Sequence, residues 1–317
     1  KRKLDGSVFR SALLMRPVFE AARTSPRRIV FAEGEDERVL RAAQAIIEET
    51  VETPILIGRP DVIEKRIEKA GLNLKLGQNV DLVNPENDPR YRDYWETYHT
   101  LMARRGVSPD IARAVMRTNT TAIGAVMVHQ VLGRDGLRPH GALSMMILED
   151  GPLFIADTQV NLHPNPEQIA EIAVGAARHV RRFGIEPKIA FCSQSQFGNQ
   201  GEGTGGRLRA AIALLDAGKQ DFCYEGEMNI DTALDPDLRA RMLPGNRMEG
   251  SANVLIFAHA DAASGVRNIL KMKGGGLEVG PILMGMGNRA HVVSPSITAR
   301  GLLNMGAIAG TPVEHYG

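Results

Sequence analysis

Residues 201–206 read G-E-G-T-G-G, so Gly201, Gly203 and Gly206 satisfy G-x-G-x-x-G and run into an apolar helix that opens at Arg207. Free N–H groups at a helix start, flexible glycines and a guanidinium together suit a phosphate. A nicotinamide fingerprint needs its first glycine in the tight turn that ends a strand. Here Gly201 comes eight residues after Ser193, where the preceding strand ends, which argues against that turn. Two readings stay open, a phosphate-binding loop and a plain polar loop. Just upstream, Ser193, Ser195 and Gln196 stand at the carboxyl end of that strand, as ligand contacts or as turn chemistry.

Other reactive side chains have cheaper explanations. Lys271 and Lys273 beside three glycines read as solvated cations at a helix C-terminus. Glu225 and Glu227, like His259 and Asp261, lack the spacing of a metal cage, so no metal site is expected. Cys192 and Cys223 form no CxxC or Cys/His pattern, which fits a reducing cytoplasm and gives no zinc hypothesis. Glu33, Asp36 and Arg38 read as structural ion pairing, and no Ser/His/Asp set is argued by spacing.

The elements that must position these groups alternate. Strand 27–32, turn 33–36, helix 37–50, strand 53–58 and helix 60–70 come first. The rhythm resumes with strand 141–148, helix 165–183, strand 188–193, helix 206–217, and strands 222–226 and 252–257. Such alternation predicts an α/β protein with mainly parallel sheets and right-handed crossovers. The strand at 141 begins a second domain, 141–284, and the last helix, 299–308, closes the first, which becomes discontinuous as 1–140 plus 285–317. One place breaks the pattern. Val126 to Gln130 reads as a strand, yet the loop and helix that should follow are missing, about two dozen residues by βαβ arithmetic. A deletion or an omitted mobile loop after Gln130 would explain it.

At 317 residues, 43% hydrophobic and 24% charged, the chain is long enough for two domains. A net charge of +1 offers no basic field for nucleic acid. No apolar run long enough for a membrane span and no signal-peptide layout is present. The start, Lys1, Arg2 and Lys3 ahead of polar Asp5, Gly6 and Ser7, reads as the middle of a longer polypeptide, as a cut at a linker, or as an ordinary start with disordered residues left out.

The C-terminal stretch is the most specific. Residues 280–285, G-P-I-L-M-G, and 294–304, S-P-S-I-T-A-R-G-L-L-N, resemble the end of phosphate acetyltransferases, where G-P-[IL]-x-x-G precedes serine–arginine–glycine, an acidic run and an apolar helix. Gly280 and Pro281 keep the framework and Ser294 falls on the family serine. Pro295 falls on its arginine and Gly301 on its general-base aspartate. Counting back from Gly106, Met102 stands at a third anion-binding arginine, with Arg104 and Arg105 as possible substitutes. Removal of a base or of an oxyanion-stabilising group costs roughly a hundred- to ten-thousandfold each, so turnover is expected to be slow or nil.

The words M-R-P-V-F-E-A-A-R over 15–23, F-A-E-G-E over 31–35, G-P-L-F-I-A-D-T-Q-V-N over 151–161 and F-G-I-E-P-K over 183–188 sharpen the match. They resemble the C-terminal phosphotransacetylase-like half of large hybrid NADP-dependent malic enzymes. That resemblance implies a two-domain, isocitrate or isopropylmalate dehydrogenase-like α/β fold with an inter-domain cleft, a homodimer through domain II and a larger homo-oligomer. It implies acetyl-CoA as an effector bound near Ser193, Ser195, Gln196, Gly203, Gly206, Arg207, Gly280, Pro281 and Ser294. Malate oxidation, NADP and Mg2+ or Mn2+ would belong to an N-terminal half. A working phosphate acetyltransferase rescued by Arg104, Arg105, His291 or Arg300, and a pure assembly domain, are the alternatives.

Overall fold

The structure, a computed structural model, describes residues 2–50, 53–136, 139–199, 201–311 and 313. In chain order its first elements are α1 (Arg2–Thr24), β1 (Val30–Phe31), α2 (Glu37–Thr50), β2 (Ile55–Ile57), α3 (Pro60–Ala70), β3 (Asp81–Val83), α4 (Tyr91–Met102), α5 (Pro109–Thr118) and α6 (Thr120–Gly136). Then come β4 (Pro139–Ile147), β5 (Pro152–Ala156), α7 (Pro166–Arg181), β6 (Lys188–Cys192), α8 (Thr204–Gly218), β7 (Cys223–Met228) and α9 (Ile230–Leu234). The last are α10 (Pro236–Met242), β8 (Val254–Phe257), α11 (Ala260–Met272), β9 (Leu277–Gly285) and α12 (Ala299–Gly310). Two compact units result, a larger one built on Pro139–Ser294 with α1 through Val18, and a smaller one built on residues 19–136 with 295–311. The sequence reading differs in placing all of 1–140 and 285–317 together; α1 up to Val18 and residues 285–294 group with the larger unit.

In the smaller unit three short strands pair in parallel, in the order β1-β2-β3. α2 and α12 pack together beside them, and the approach is close because Gly306 has no side chain: a Cβ there would lie 3.0 Å from Ile46 Cδ1 and 3.2 Å from Phe31 Cζ. α3 starts with Pro60 in its first turn and ends on Gly71, whose φ of 63° gives the left-handed C-cap. Ile57 and Val83 join Tyr94, Met116, Ile123 and Val126 in one buried cluster.

That cluster corrects the expected strand at Val126–Gln130, which lies inside α6. Asn119 caps the turn, its side chain accepting from the Ala122 N–H at 2.9 Å. Ile123 and Val126, three apart, are both buried, which is helical spacing, whereas Val128 on the same strand face as Val126 is only half-buried. A second correction concerns the start. Residues 2–24 are helical, so Asp5 and Gly6 belong to α1 and not to a linker.

The larger unit holds a six-stranded sheet in the order β7-β6-β8-β5-β4-β9. β7, β6, β8 and β5 run parallel, while β4 is antiparallel to both β5 and β9. Leu153, Ile155, Ala190, Cys192, Leu255 and Phe257 face α11, packing with its Ala263, Val266 and Leu270. The alternating residues Phe154, Ile189, Phe191, Val254 and Ile256 are equally buried, as strands covered on both faces require. α7 is fixed at its start by a capping box between Asn165 and Gln168.

Candidate ligand site

In the larger unit the carboxyl ends of the adjacent strands β7, β6 and β8 frame a pocket of about 480 Å³. Open α/β sheets place ligands at such ends. Its polar lining is Ser193, Gln194, Thr204, Asn229, Asp231 and His259, and its apolar lining includes Ile230, Phe257, Ala258 and Ala262. Of the candidates read from sequence, Ser193 reaches this pocket directly.

Ser195 does something else. It is 2% exposed, and its hydroxyl donates to Glu227 Oε1 at 2.6 Å. The same carboxylate oxygen accepts from the Gly198 N–H at 2.9 Å and from Arg209 Nη1 at 2.7 Å. Glu227 is fully buried and its backbone carbonyl takes the Phe197 N–H at 2.8 Å, so one residue of β7 holds Ser195, Phe197 and Gly198, while Asn199 Oδ1 takes the Gln196 N–H at 3.0 Å. Arg209 also donates to the Gly201 carbonyl at 2.7 Å, which ties the glycine loop to the same anchor. Gln196 is likewise structural: with the Asn229 amide nitrogen 2.8 Å from the Ser193 carbonyl, the Asn229 oxygen accepts from Gln196 Nε2 at 2.7 Å.

The glycine loop enters α8 through Gly203, whose φ of 82° suits glycine and whose cap position supplies no side-chain acceptor. Gly205 must be glycine for another reason, since a Cβ there would meet Ser195 Cβ at 2.9 Å. Gly206 lies in the first turn, and Arg207 follows. Arg207 Nη1 donates to the Pro164 carbonyl at 2.8 Å and Nη2 to His259 Nε2 at 2.9 Å. Arginine is never an acceptor, so Nε2 of His259 must be the acceptor and the remaining proton sits on Nδ1. Nδ1 then donates to His163 Nδ1, 2.9 Å away. Burial, then the nearby Arg207 and His163, push the His259 pKa below its ordinary value, which agrees with a neutral ring. Arg207 is therefore held by neutral acceptors, and among the described residues no carboxylate pairs with it.

The loop that presents Pro164 and His163 is organised by Asp157, 1% exposed. Its Oδ1 accepts from the N–H groups of Ala142, Gln159 and Val160 at 2.9, 3.0 and 3.1 Å. Its Oδ2 accepts from the backbone and side-chain nitrogens of Asn161, both at 2.7 Å.

The remaining candidates are placed separately. Gly280 and Pro281 lie within β9, paired with β4, where a Cβ on Gly280 would stand 3.1 Å from the Leu143 carbonyl; both are sheet framework. Ser294 is half-buried near the end of the larger unit's segment. His291 accepts the Leu283 N–H at Nδ1, 3.1 Å away, and burial with Arg182 nearby pushes its pKa down to about 3.

Within the smaller unit, Met102 ends α4 and Arg104 and Arg105 are exposed on the 3-10 turn after it. The Pro295 carbonyl accepts from Arg38 Nη1 at 2.5 Å, and the Ile297 carbonyl from the same nitrogen at 3.0 Å, while Arg38 is braced by Asp36 at 2.7 Å. At Gly301, the residue that the sequence reading lays on the family's base, a Cβ would meet Ile297 Cγ1 at 2.7 Å, so the space beside it is filled by packing. A cavity of about 610 Å³ in this unit includes Arg28 and Arg90, whose charges are matched by Asp81 and Asp88. Among the described residues no group of three or more His, Cys, Asp or Glu could hold a metal ion, and no helix is long and apolar enough to cross a membrane.

Thr204, Asn229, Asp231 and the acceptor role of His259 escaped the sequence reading. Asp231 and His259 each stand two or three residues past a strand end, which was the available signal.

The family model described as "Phosphate acetyl/butaryl transferase" matches residues 13–133 and 131–310. Its two segments meet within α6, where the sequence departs from the expected alternation. The chain is 42% identical to the "NAD-dependent malic enzyme" of Rhizobium meliloti over 99% of this chain and 44% of that protein. That alignment has 338 positions for a chain of 317 residues, so the relative carries residues with no counterpart here. It is 41% identical to the "NADP-dependent malic enzyme" of Salmonella typhimurium over 97% of this chain and 44% of that one. The chain thus spans under half the length of these relatives. Among solved structures, a phosphotransacetylase from Streptococcus pyogenes superposes with a TM-score of 0.82 at 22% identity, covering 94% of this chain and 97% of that one.

Proposed function

Since this chain belongs to the phosphate acetyl/butaryl transferase family, we propose that it is a non-catalytic acetyl-CoA-binding domain that regulates and assembles a malic enzyme, following it in one polypeptide. Nicotinamide dinucleotide, divalent metal and malate chemistry belong to the N-terminal half. The names of the two relatives differ in NAD and NADP, so the choice between them is a property of that half.

The observation that carries the reading is that packing has taken the place of catalytic charge. Pro295 has no N–H to donate and its carbonyl is bound by Arg38, and Gly301 is closed off by Ile297. Transfer of acetyl from a thioester to phosphate needs a base for the thiol proton and cations on phosphate. His291 is a poor substitute base, because a group with a pKa of about 3 is far below the operating range. Binding is supported independently by the pocket at the strand ends and by Arg207, a charge held by neutral acceptors at an uncapped helix start. An effector regulates only by binding two states unequally.

Assembly has support on α11. Gly265, Ile269 and Met272 recur at four- and three-residue spacing on its outer side, with Ile269 64% and Met272 78% exposed. That is the seam of a helix that packs on another helix, and a second copy through this unit satisfies it.

Calorimetric titration of the chain with acetyl-CoA, followed by an assay of the same sample for phosphate-dependent release of free CoA, tests the proposal. Binding without release is expected. Release at enzymatic rates would establish an active acetyltransferase, and absence of binding would leave assembly alone.

A further inference from the structure

His259 joins three separate elements of the larger unit. Its half-buried ring precedes α11, and its Nε2 takes Arg207 Nη2 at 2.9 Å and the Thr204 hydroxyl at 3.1 Å, both from the first turn of α8. Its Nδ1 meets His163 Nδ1 at 2.9 Å, on the loop between β5 and α7, with the two rings at 83°. Arginine only donates, so the protons of the pair are assigned: His259 carries one on Nδ1, and His163 accepts it and keeps its own on Nε2. A further proton has no place in this arrangement. On His259 Nε2 it would take the lone pair that Arg207 and Thr204 use, and set an N–H against a guanidinium. On His163 Nδ1 it would set two N–H groups against each other.

Most of the charges around the rings act in the same sense. Arg207 from α8 and His163 from the loop oppose a proton on His259, whereas Asp261, exposed in the first turn of α11, favours it. Asp231, after β7, lines the same pocket as His259, and the lining groups Ser193, Gln194 and Asn229 are uncharged. Burial first and Arg207 second prevail, so the His259 pKa lies below its ordinary 6.5. An anion beside Arg207 shifts the balance, because it supplies the negative charge that the neutral acceptors do not.

We propose that His163 and His259 form a proton-operated clasp, closed when both rings are neutral and opened by one proton from solvent on His259 Nε2. Closed, it ties the loop before α7 to the starts of α8 and α11. Open, it releases Arg207 Nη2, leaves Nη1 on the Pro164 carbonyl and adds a second cation beside it. Anion and proton then favour each other, and by linkage one proton taken up per anion tightens binding by at most about tenfold per pH unit. The inference rests on the proposed ligand site and adds to it a dependence on pH.

The test reads the clasp first without ligand, by NMR titration of the histidine rings in the wild type, His163→Ala and His259→Gln, each shown to be folded by thermal melting. In the wild type, His259 is expected as the Nδ1–H tautomer with a midpoint below 6.5, which His163→Ala moves upward. Calorimetry in two buffers of different ionisation heat then counts the protons taken up with each of two probes. These are sulfate, which has no titrating proton in this range, and acetyl-CoA, whose own phosphate titration is common to every variant. The wild type is expected to take up more protons than His259→Gln near pH 6, and to bind sulfate about 3- to 10-fold more tightly there than near pH 7.5. An Nε2–H tautomer at His259, a midpoint that His163→Ala leaves unmoved, or equal proton uptake in the wild type and His259→Gln overturns the inference. Binding of sulfate but not of acetyl-CoA overturns the coenzyme reading and leaves the clasp standing. Binding of neither at any pH overturns both the proposed ligand site and the coupling to an anion.

Discussion

Replacing Glu227 with alanine removes the anchor of the 195–198 loop. Three donors lose the carboxylate at once, the Ser195 hydroxyl, the Gly198 N–H and Arg209 Nη1, of which the hydroxyl keeps Asn199 Oδ1 at 3.0 Å as a second acceptor. Ser195 is 2% exposed, so water cannot replace the carboxylate there without disrupting the loop. The Glu227 carboxylate is fully buried whereas the Arg209 side chain is 32% exposed, so the guanidinium recovers part of its hydration and the loss falls below the extreme for a sealed pair. Breaking a buried ion pair costs about 3–5 kcal/mol, and each stranded buried donor about 1–3 kcal/mol, with overlap between the two accounts. We therefore expect Glu227→Ala to destabilise the chain by about 3–4 kcal/mol, read by urea unfolding, and to lower Tm by about 10 °C for a protein of this size. Glu227→Gln keeps the accepting oxygen and loses only the charge, so it should cost about 1–2 kcal/mol. A Glu227→Ala chain within 1 kcal/mol of wild type, or a glutamine variant as damaged as the alanine one, would refute the assignment of this carboxylate as the loop's anchor.

Asp157 gathers five N–H groups, so Asp157→Ala should cost about 3–5 kcal/mol and weaken acetyl-CoA binding by releasing the Pro164 carbonyl from Arg207, measured by unfolding and calorimetry on the same variant. His291 has a folded pKa of about 3 against an ordinary 6.5, so the unfolded chain binds the extra proton between those values and stability falls as pH drops through that window. Its contribution is about 1.4 kcal/mol per pH unit below 6.5, and His291→Gln, whose amide oxygen can still accept the Leu283 N–H, should flatten the pH dependence of unfolding by that slope. Gly301→Asp, alone or with Pro295→Arg, is expected to destabilise by about 1–3 kcal/mol through the clash with Ile297 and to yield no phosphate-dependent CoA release.

Local chemistry made some elements legible. Pro60 and Gly71 punctuate α3, and Asn165 with Gln168 announces α7, so their limits follow from residues within the helix ends themselves. β5 and β9 were harder. The run 152–156 is apolar but directly follows another strand, and nothing local says that β4 turns antiparallel to it. Val126–Gln130 looks like a strand because of its β-branched residues, and only the burial of Ile123 with Val126 against Met116 makes it a helix. The pocket was the least legible part. Ser193, Asp231 and His259 follow β6, β7 and β8, and they converge because β6 lies between β7 and β8 in the sheet, a pairing order that no local spacing encodes.

The same distinction separates what the family resemblance transfers from what it does not. Gly280 and Pro281 persist because β9 pairs with β4 there and the Leu143 carbonyl leaves no room for a Cβ, a requirement of the fold that holds whether or not the site turns over. Gly301 is tight for a different reason, because it is the Ile297 side chain that fills the space an aspartate would need. Arg38, braced by Asp36, then fixes the carbonyls of Pro295 and Ile297 and holds this segment in its packed form. On the proposed non-catalytic reading, placing an aspartate and an arginine there would also require Ile297 to move and the Arg38 contacts to be rebuilt. Arg207 faces no such obstacle, since its charge is held by Pro164 and His259 without being neutralised. On the proposed reading these are two separate features, packing over residues 295–301 in the smaller unit and a cation held by neutral acceptors in the larger one, and sensing a ligand without consuming it asks for no more than the second.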